Sequence, residues 1–182
     1  MEIEVIRSRR KTLSVEIRDG HLLVRAPLRI SNTEISRFLQ EKQEWIDKHL
    51  ARAHVQEEAK KDIPLLTEVE LRTLVQEAKR LIPDRVAYFA RILGVSYGRI
   101  TIRCQRTRWG SCSTRGNLNF NCLLMLAPPE VLDSVIVHEL CHRKEMNHSK
   151  RFYSEVLRVM PDYHERYKWL KENGHMLMAM LG

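Results

Sequence analysis

Hydrophobic and polar residues alternate over the first thirty positions. Glu2-Ile3-Glu4-Val5-Ile6-Arg7 reads as one strand, and Leu13, Val15 and Ile17 fall on one face of a second. Asp19-Gly20 supplies the residues of a type I′ turn, 21–26 is the returning strand, and Pro27 ends the hairpin. The period then lengthens. Ile35, Phe38, Leu39, Trp45, Ile46 and Leu50 recur at helical spacing behind a cap at Ser31 or Asn32. The charged stretch 57–61, followed by Pro64, reads as a connector. Thr67 with Glu70 forms a capping-box pattern, and Leu71, Leu74, Ala78, Leu81 and Ile82 carry the helix behind it. Pro83 is placed to kink or divide that helix, and Gly94 ends it.

Stretches 98–104 and 117–124 read as a second pair of strands around a loop at 105–116. Pro128-Pro129 opens a helix running to about Glu145, and 148–159 and 162–178 are two more. The order βββ-α-α-ββ-α-α-α predicts an α+β fold with an antiparallel sheet packed on helices. We read the 182 residues as a single domain, with an N-terminal lobe at about 1–62 and a core at about 63–182.

Charge and cysteine content change this picture little. Lys+Arg 31 against Asp+Glu 23 gives +8, which permits contact with a polyanion without demanding it. Cys104, Cys112, Cys122 and Cys141 form no CxxC pair, so reduced thiols and a cytoplasmic location are expected. The start of the chain does not read as a secretory signal, and no apolar run reaches the ~20 residues of a membrane span.

The chemistry concentrates in Val137-His138-Glu139-Leu140-Cys141-His142. Histidines at i and i+4 project from one side of a helix and can reach one metal ion, while the glutamate between them can act on a neighbouring water. His148, six residues after His142, supplies a third ligand and leaves a fourth position open. His138, His142 and His148 are thus the expected zinc ligands and Glu139 the general base. The outer spacing equals that of the metzincins, but Glu145 stands where their glycine turns the chain, so a turn at Met146-Asn147 is expected instead. Asp133 and Glu145 are the nearest carboxylates to orient these histidines, with Asp133 read as a solvated helix residue. Tyr153, Tyr163 and His164 are candidates for an oxyanion donor.

Arg106-Thr107-Arg108-Trp109-Gly110-Ser111-Cys112-Ser113, Gly116-Asn117-Leu118-Asn119-Phe120-Asn121, the helix segment above and Asn147-His148-Ser149-Lys150-Arg151-Phe152 together resemble the YgjP-like metallopeptidases. That family is related to the SprT-like and WLM-type proteins. The resemblance implies a gluzincin-like zinc peptidase. It also implies a small twisted antiparallel sheet beside an active-site helix, and an edge strand that binds extended substrate. Stretch 117–124 is the candidate for that strand, or else an ordinary core strand. Arg106, Arg108 and Trp109 either border the cleft or serve as structure, with Trp109 a packing anchor, Gly110 a turn and Ser111 a cap. The rival is a metal-stabilised nucleic-acid-binding module, or a DNA-associated protease of SprT-like type. It rests on the basic clusters 7–11 and 99–108.

Overall fold

The computed structural model describes residues 3–18 and 21–182. The chain divides into two compact units, Met1–Asp62 and Ile63–Gly182. It is α+β, with two three-stranded sheets and six α-helices among the described residues. None of those helices is long and apolar enough to cross a membrane.

In the first unit, β1 (Ile3–Ser8), β2 (Ser14–Arg18) and β3 (His21–Pro27) form a sheet in the order β1-β3-β2. Arg18 pairs with His21, as a two-residue hairpin connection requires, although Asp19 and Gly20 themselves lie outside the described residues. Val24 and Ala26 pack with Ile35, Leu13 and Val15. The helical stretch splits into α1 (Asn32–Glu41) and α2 (Gln43–Lys61), which breaks at Lys42 and absorbs the charged 57–61 segment read as a connector. Ser31 caps α1 in a full capping box with Glu34.

In the second unit, α3 (Glu68–Leu93) starts at the Thr67–Glu70 capping box and ends at Gly94, whose φ of 67° suits a residue without Cβ. Pro83 lies inside it without dividing it. Ile82 before the proline and Val86 after it are buried on the same face, and that shared burial holds the two halves in line. Leu81, predicted on this face, is exposed instead. The second sheet contains β4 (Ile100–Arg103), β5 (Gly110–Cys112) and β6 (Leu118–Asn121), in the order β4-β6-β5. A short 3₁₀ helix (Cys122–Leu126) follows, then α4 (Pro129–Cys141), α5 (Lys150–Val159) and α6 (Tyr163–Ala179).

The antiparallel expectation needs correction in both sheets. β1 and β3 pair parallel, as do β4 and β6, and only the hairpin partners run antiparallel. Topology gives the reason: connections 9–13 and 104–109 each skip one strand position, and the next strand returns into the gap. β6 is therefore central and buried rather than a substrate-binding edge. The edge beside α4 is β5, in the stretch predicted as loop.

Candidate metal centre

Helix α4 is buried almost all round and carries His138 and Glu139, while His142 caps its C-terminus. It ends four residues earlier than expected. Arg143 and Lys144 bond back to Leu140 and Cys141, and the chain bends at Met146 and Asn147. That bend returns His148 to the helix, just before Ser149 caps α5. The imidazoles of His138, His142 and His148 consequently converge, with ligand atoms within 4.8 Å of one another. His138 Nε2 and His148 Nε2 are 3.0 Å apart.

The Nδ1 atoms of His138 and His142 are engaged. His138 Nδ1 lies 2.8 Å from the Tyr163 hydroxyl, and His142 Nδ1 lies 3.2 Å from the Glu145 carbonyl. Donation of both Nδ1 hydrogens leaves Nε2 unprotonated and free to bind an ion, the usual arrangement behind ligand histidines. Burial and the neighbouring histidines push His138 down to about 3, and burial lowers His142 as well. Three imidazoles clustered in this way fit a divalent metal. Beneath them lies Phe152, fully buried, with its ring centroid 4.9, 4.7 and 4.9 Å from His138, His142 and His148 respectively.

Glu139 is 6% exposed and has no ion-pair partner among the described residues. Burial pushes its carboxyl up to about 8, opposed by the Arg108 guanidinium. Gly110 makes room for it, since a Cβ there would stand 2.7 Å from Glu139 Cγ and Oε1. Gly110 is thus a strand residue needed for close approach, not a turn.

Two cavities flank this pair. One of 340 Å³ contains the histidine triad, Ser111, Cys112 and Met146. Another of 240 Å³ is mostly apolar, walled by Trp109, Val135, Tyr163, Tyr167 and Leu170. Arg108, Gly110, His138 and Glu139 border both.

Other candidates fall elsewhere. Asp133 is not a solvated residue: its carboxylate takes a two-pronged ion pair from Arg85, with Nε–Oδ1 at 2.8 Å. Of the three histidines, Glu145 serves His142 alone, and through its backbone carbonyl, not its carboxylate. Arg106 donates to the Leu181 carbonyl, and Trp109 packs against Gly174. Ser111 accepts from Asn119 rather than capping a helix. The Tyr163 hydroxyl is committed to His138, while Tyr153 packs 6.4 Å from the His148 ring and 6.2 Å from that of His164. Phe152 and Gly110 acquire roles that helical or strand spacing does not signal. The sequence hint was only their place within recognisable motifs.

Comparison with known proteins bears on what the centre is for. The model of the family described as YgjP-like, metallopeptidase domain, matches residues 11–73 and 66–173. A UTP pyrophosphatase of Escherichia coli (strain K12) is 32% identical over 60 residues, which cover 33% of this chain and 36% of that protein. The chain therefore matches about a third of that relative's length. Crystal structures of two metallopeptidase zymogens are also similar. Pyrococcus abyssi abylysin gives a TM-score of 0.46 at 22% identity, covering 50% of this chain and 94% of that one. Methanocaldococcus jannaschii jannalysin gives 0.45 at 23%, with the same coverage. Since the family match runs through both units, from residue 11 to residue 173, the chain belongs to the YgjP-like metallopeptidase-domain family.

Proposed function

We propose that this protein is a zinc-dependent metallopeptidase, in which His138, His142 and His148 hold the metal and Glu139 is the general base. The observation that carries this reading is the convergence of three imidazoles, with the Nδ1 positions of His138 and His142 engaged elsewhere, beside a buried carboxylate. Imidazole-only sites of this kind favour zinc over the oxygen-seeking cations. When bound, the metal supplies a Lewis acid that polarises the scissile carbonyl and makes water a better nucleophile.

Glu139 takes the proton from the attacking water and delivers it to the leaving amine. Tyr163 holds His138 in one tautomer and one orientation. The extended substrate adds to the free edge of β5, where backbone groups give affinity and the 240 Å³ cavity receives an apolar side chain. Arg108, at the rim of both cavities, provides a positive charge for a substrate carbonyl or carboxylate.

In a peptide-library assay, the zinc-loaded chain should cleave, and Glu139→Gln should lose at least ~10³-fold in turnover while retaining its metal. Full activity in that variant would remove Glu139 as the base.

Arg108 favours a second reading, because a guanidinium beside a metal centre also suits a phosphate anhydride, and the Escherichia coli relative is named a UTP pyrophosphatase. Hydrolysis of nucleoside triphosphates with no peptide cleavage by the same preparation would select it. Nucleic acid remains a proposed partner through a 610 Å³ groove beside β4, lined by Lys79, Arg99 and Arg103. A flat dependence of DNA affinity on salt would remove that partner.

A further inference from the structure

Two cysteines that spacing alone treats as separate thiols meet in the second unit. Cys104 follows β4 at the start of the 104–109 connection and is exposed, whereas Cys122 opens the 3₁₀ helix and is fully buried. Their Sγ atoms are 2.8 Å apart. The backbone sets this approach. β4 and β6 run parallel with Arg103 opposite Asn121, and the two cysteines lie one residue beyond that pair. Asn121 clips the same connection down, its Nδ2 donating to the Gln105 and Arg108 carbonyls at 2.6 and 3.0 Å. A covalent S–S bond is ~2.05 Å, so closing it takes less than about 1 Å of movement.

We propose that Cys104 and Cys122 form a reversible disulfide, by exchange with a small-molecule disulfide, that fastens the 104–109 connection to the end of β6. The Cys104 thiolate attacks one sulfur of the small disulfide, forming a mixed disulfide and expelling one thiolate. The Cys122 thiolate then attacks the Cys104 sulfur and expels the second. Two cysteine thiols are oxidised, one small disulfide is reduced to two thiols, and the two cysteine protons pass to the departing thiolates. Burial and the adjacent Cys104 push Cys122 up to about 12, which makes the exposed Cys104 the first attacker and ring closure the slower step.

The closed loop contains Arg108, Trp109 and Gly110, the wall shared with both cavities, so oxidation stiffens one side of the metal centre. Of the other thiols, Cys112 is half-buried and bonds the Ser113 carbonyl, and Cys141 is fully buried.

The test is peptide mapping of the full chain, first reduced and then equilibrated with oxidised glutathione. The expected product is a Cys104–Cys122 linked peptide, about 2 Da lighter than the sum of its parts. It should revert with dithiothreitol, persist in Cys112→Ser and vanish in Cys104→Ser. Limited proteolysis within 104–122 should slow by ~10-fold or more on oxidation. A stable glutathione adduct on Cys104 that never resolves, or a linkage through Cys112 or Cys141, would overturn the proposal. Mapping of the unmodified chain decides the matter even if Cys104→Ser folds poorly.

Discussion

The two sheets share one plan and differ in what hangs on it. Orders β1-β3-β2 and β4-β6-β5 are the same arrangement, each with a returning strand inserted parallel to the first and antiparallel to the second. In the first sheet the outer strand β1 exposes Ile3, Val5 and Ile6 and no cluster of ligand-type side chains accompanies it among the described residues. In the second, the outer strand β5 is three residues long and begins with the glycine that admits Glu139. Topology sets where an edge lies, and side chains decide whether chemistry is done there.

Truncating the centres of the two sheets should separate their roles most strongly. Phe120 is fully buried opposite Gly110, so Phe120→Ala should cost ~3–5 kcal/mol and weaken metal binding as β5 loses its support. Val24→Ala, at the buried centre of the first sheet, should cost about 2 kcal/mol and leave metal affinity unchanged. Denaturant melts combined with metal titrations check both. Equal loss of affinity in the two variants would break the distinction between the sheets.

A smaller effect falls on the centre alone. Tyr163→Phe removes the partner of His138 Nδ1 and should lower metal affinity by ~10–100-fold, read by competition with a chelator. Unchanged affinity would make that hydrogen bond incidental to the histidine's orientation.

What could be read from the sequence divides by range of interaction. The Thr67 capping box, a cap at Ser31 or Asn32, most of the helical faces and the His138–His142 spacing depend on residues within one or two turns, and they were legible, although Trp45 and Leu81 turn outward. β5 was not, because Gly-Ser-Cys carries no strand pattern and is ordered by pairing with β6. Parallel pairing escaped for the same reason, since it depends on connections that skip a strand position. The break at Lys42 falls in the gap between Leu39 and Trp45, and neither glycine nor proline marks it. At the centre, the histidines and Glu139 were nameable, but the Gly110 gap, the Phe152 floor and the Tyr163 partner arise from tertiary contact.

The smallest prediction compares the two units through features they share. Glu34 is lowered by its hydrogen bonds to the Ser31 side chain and backbone, and Glu70 by those to the Thr67 backbone and side chain. A carboxylate with a depressed folded pKa stabilises the fold above its unfolded value, about 4.3, and that stabilisation is lost as pH falls through the folded pKa. Ser31→Ala and Thr67→Ala should each lower Tm by a few degrees near neutrality, and the gap from the parent should narrow towards about pH 3. A gap that widens in acid would reverse the assigned sign.

The central claim is that three histidines make one metal centre, and elemental analysis of protein purified without an affinity tag tests it most directly. The account predicts about one zinc per chain, lost or greatly weakened in His148→Ala with the fold intact by circular dichroism. Full zinc content in that variant, or metal-free parent protein that cannot be loaded, would contradict it.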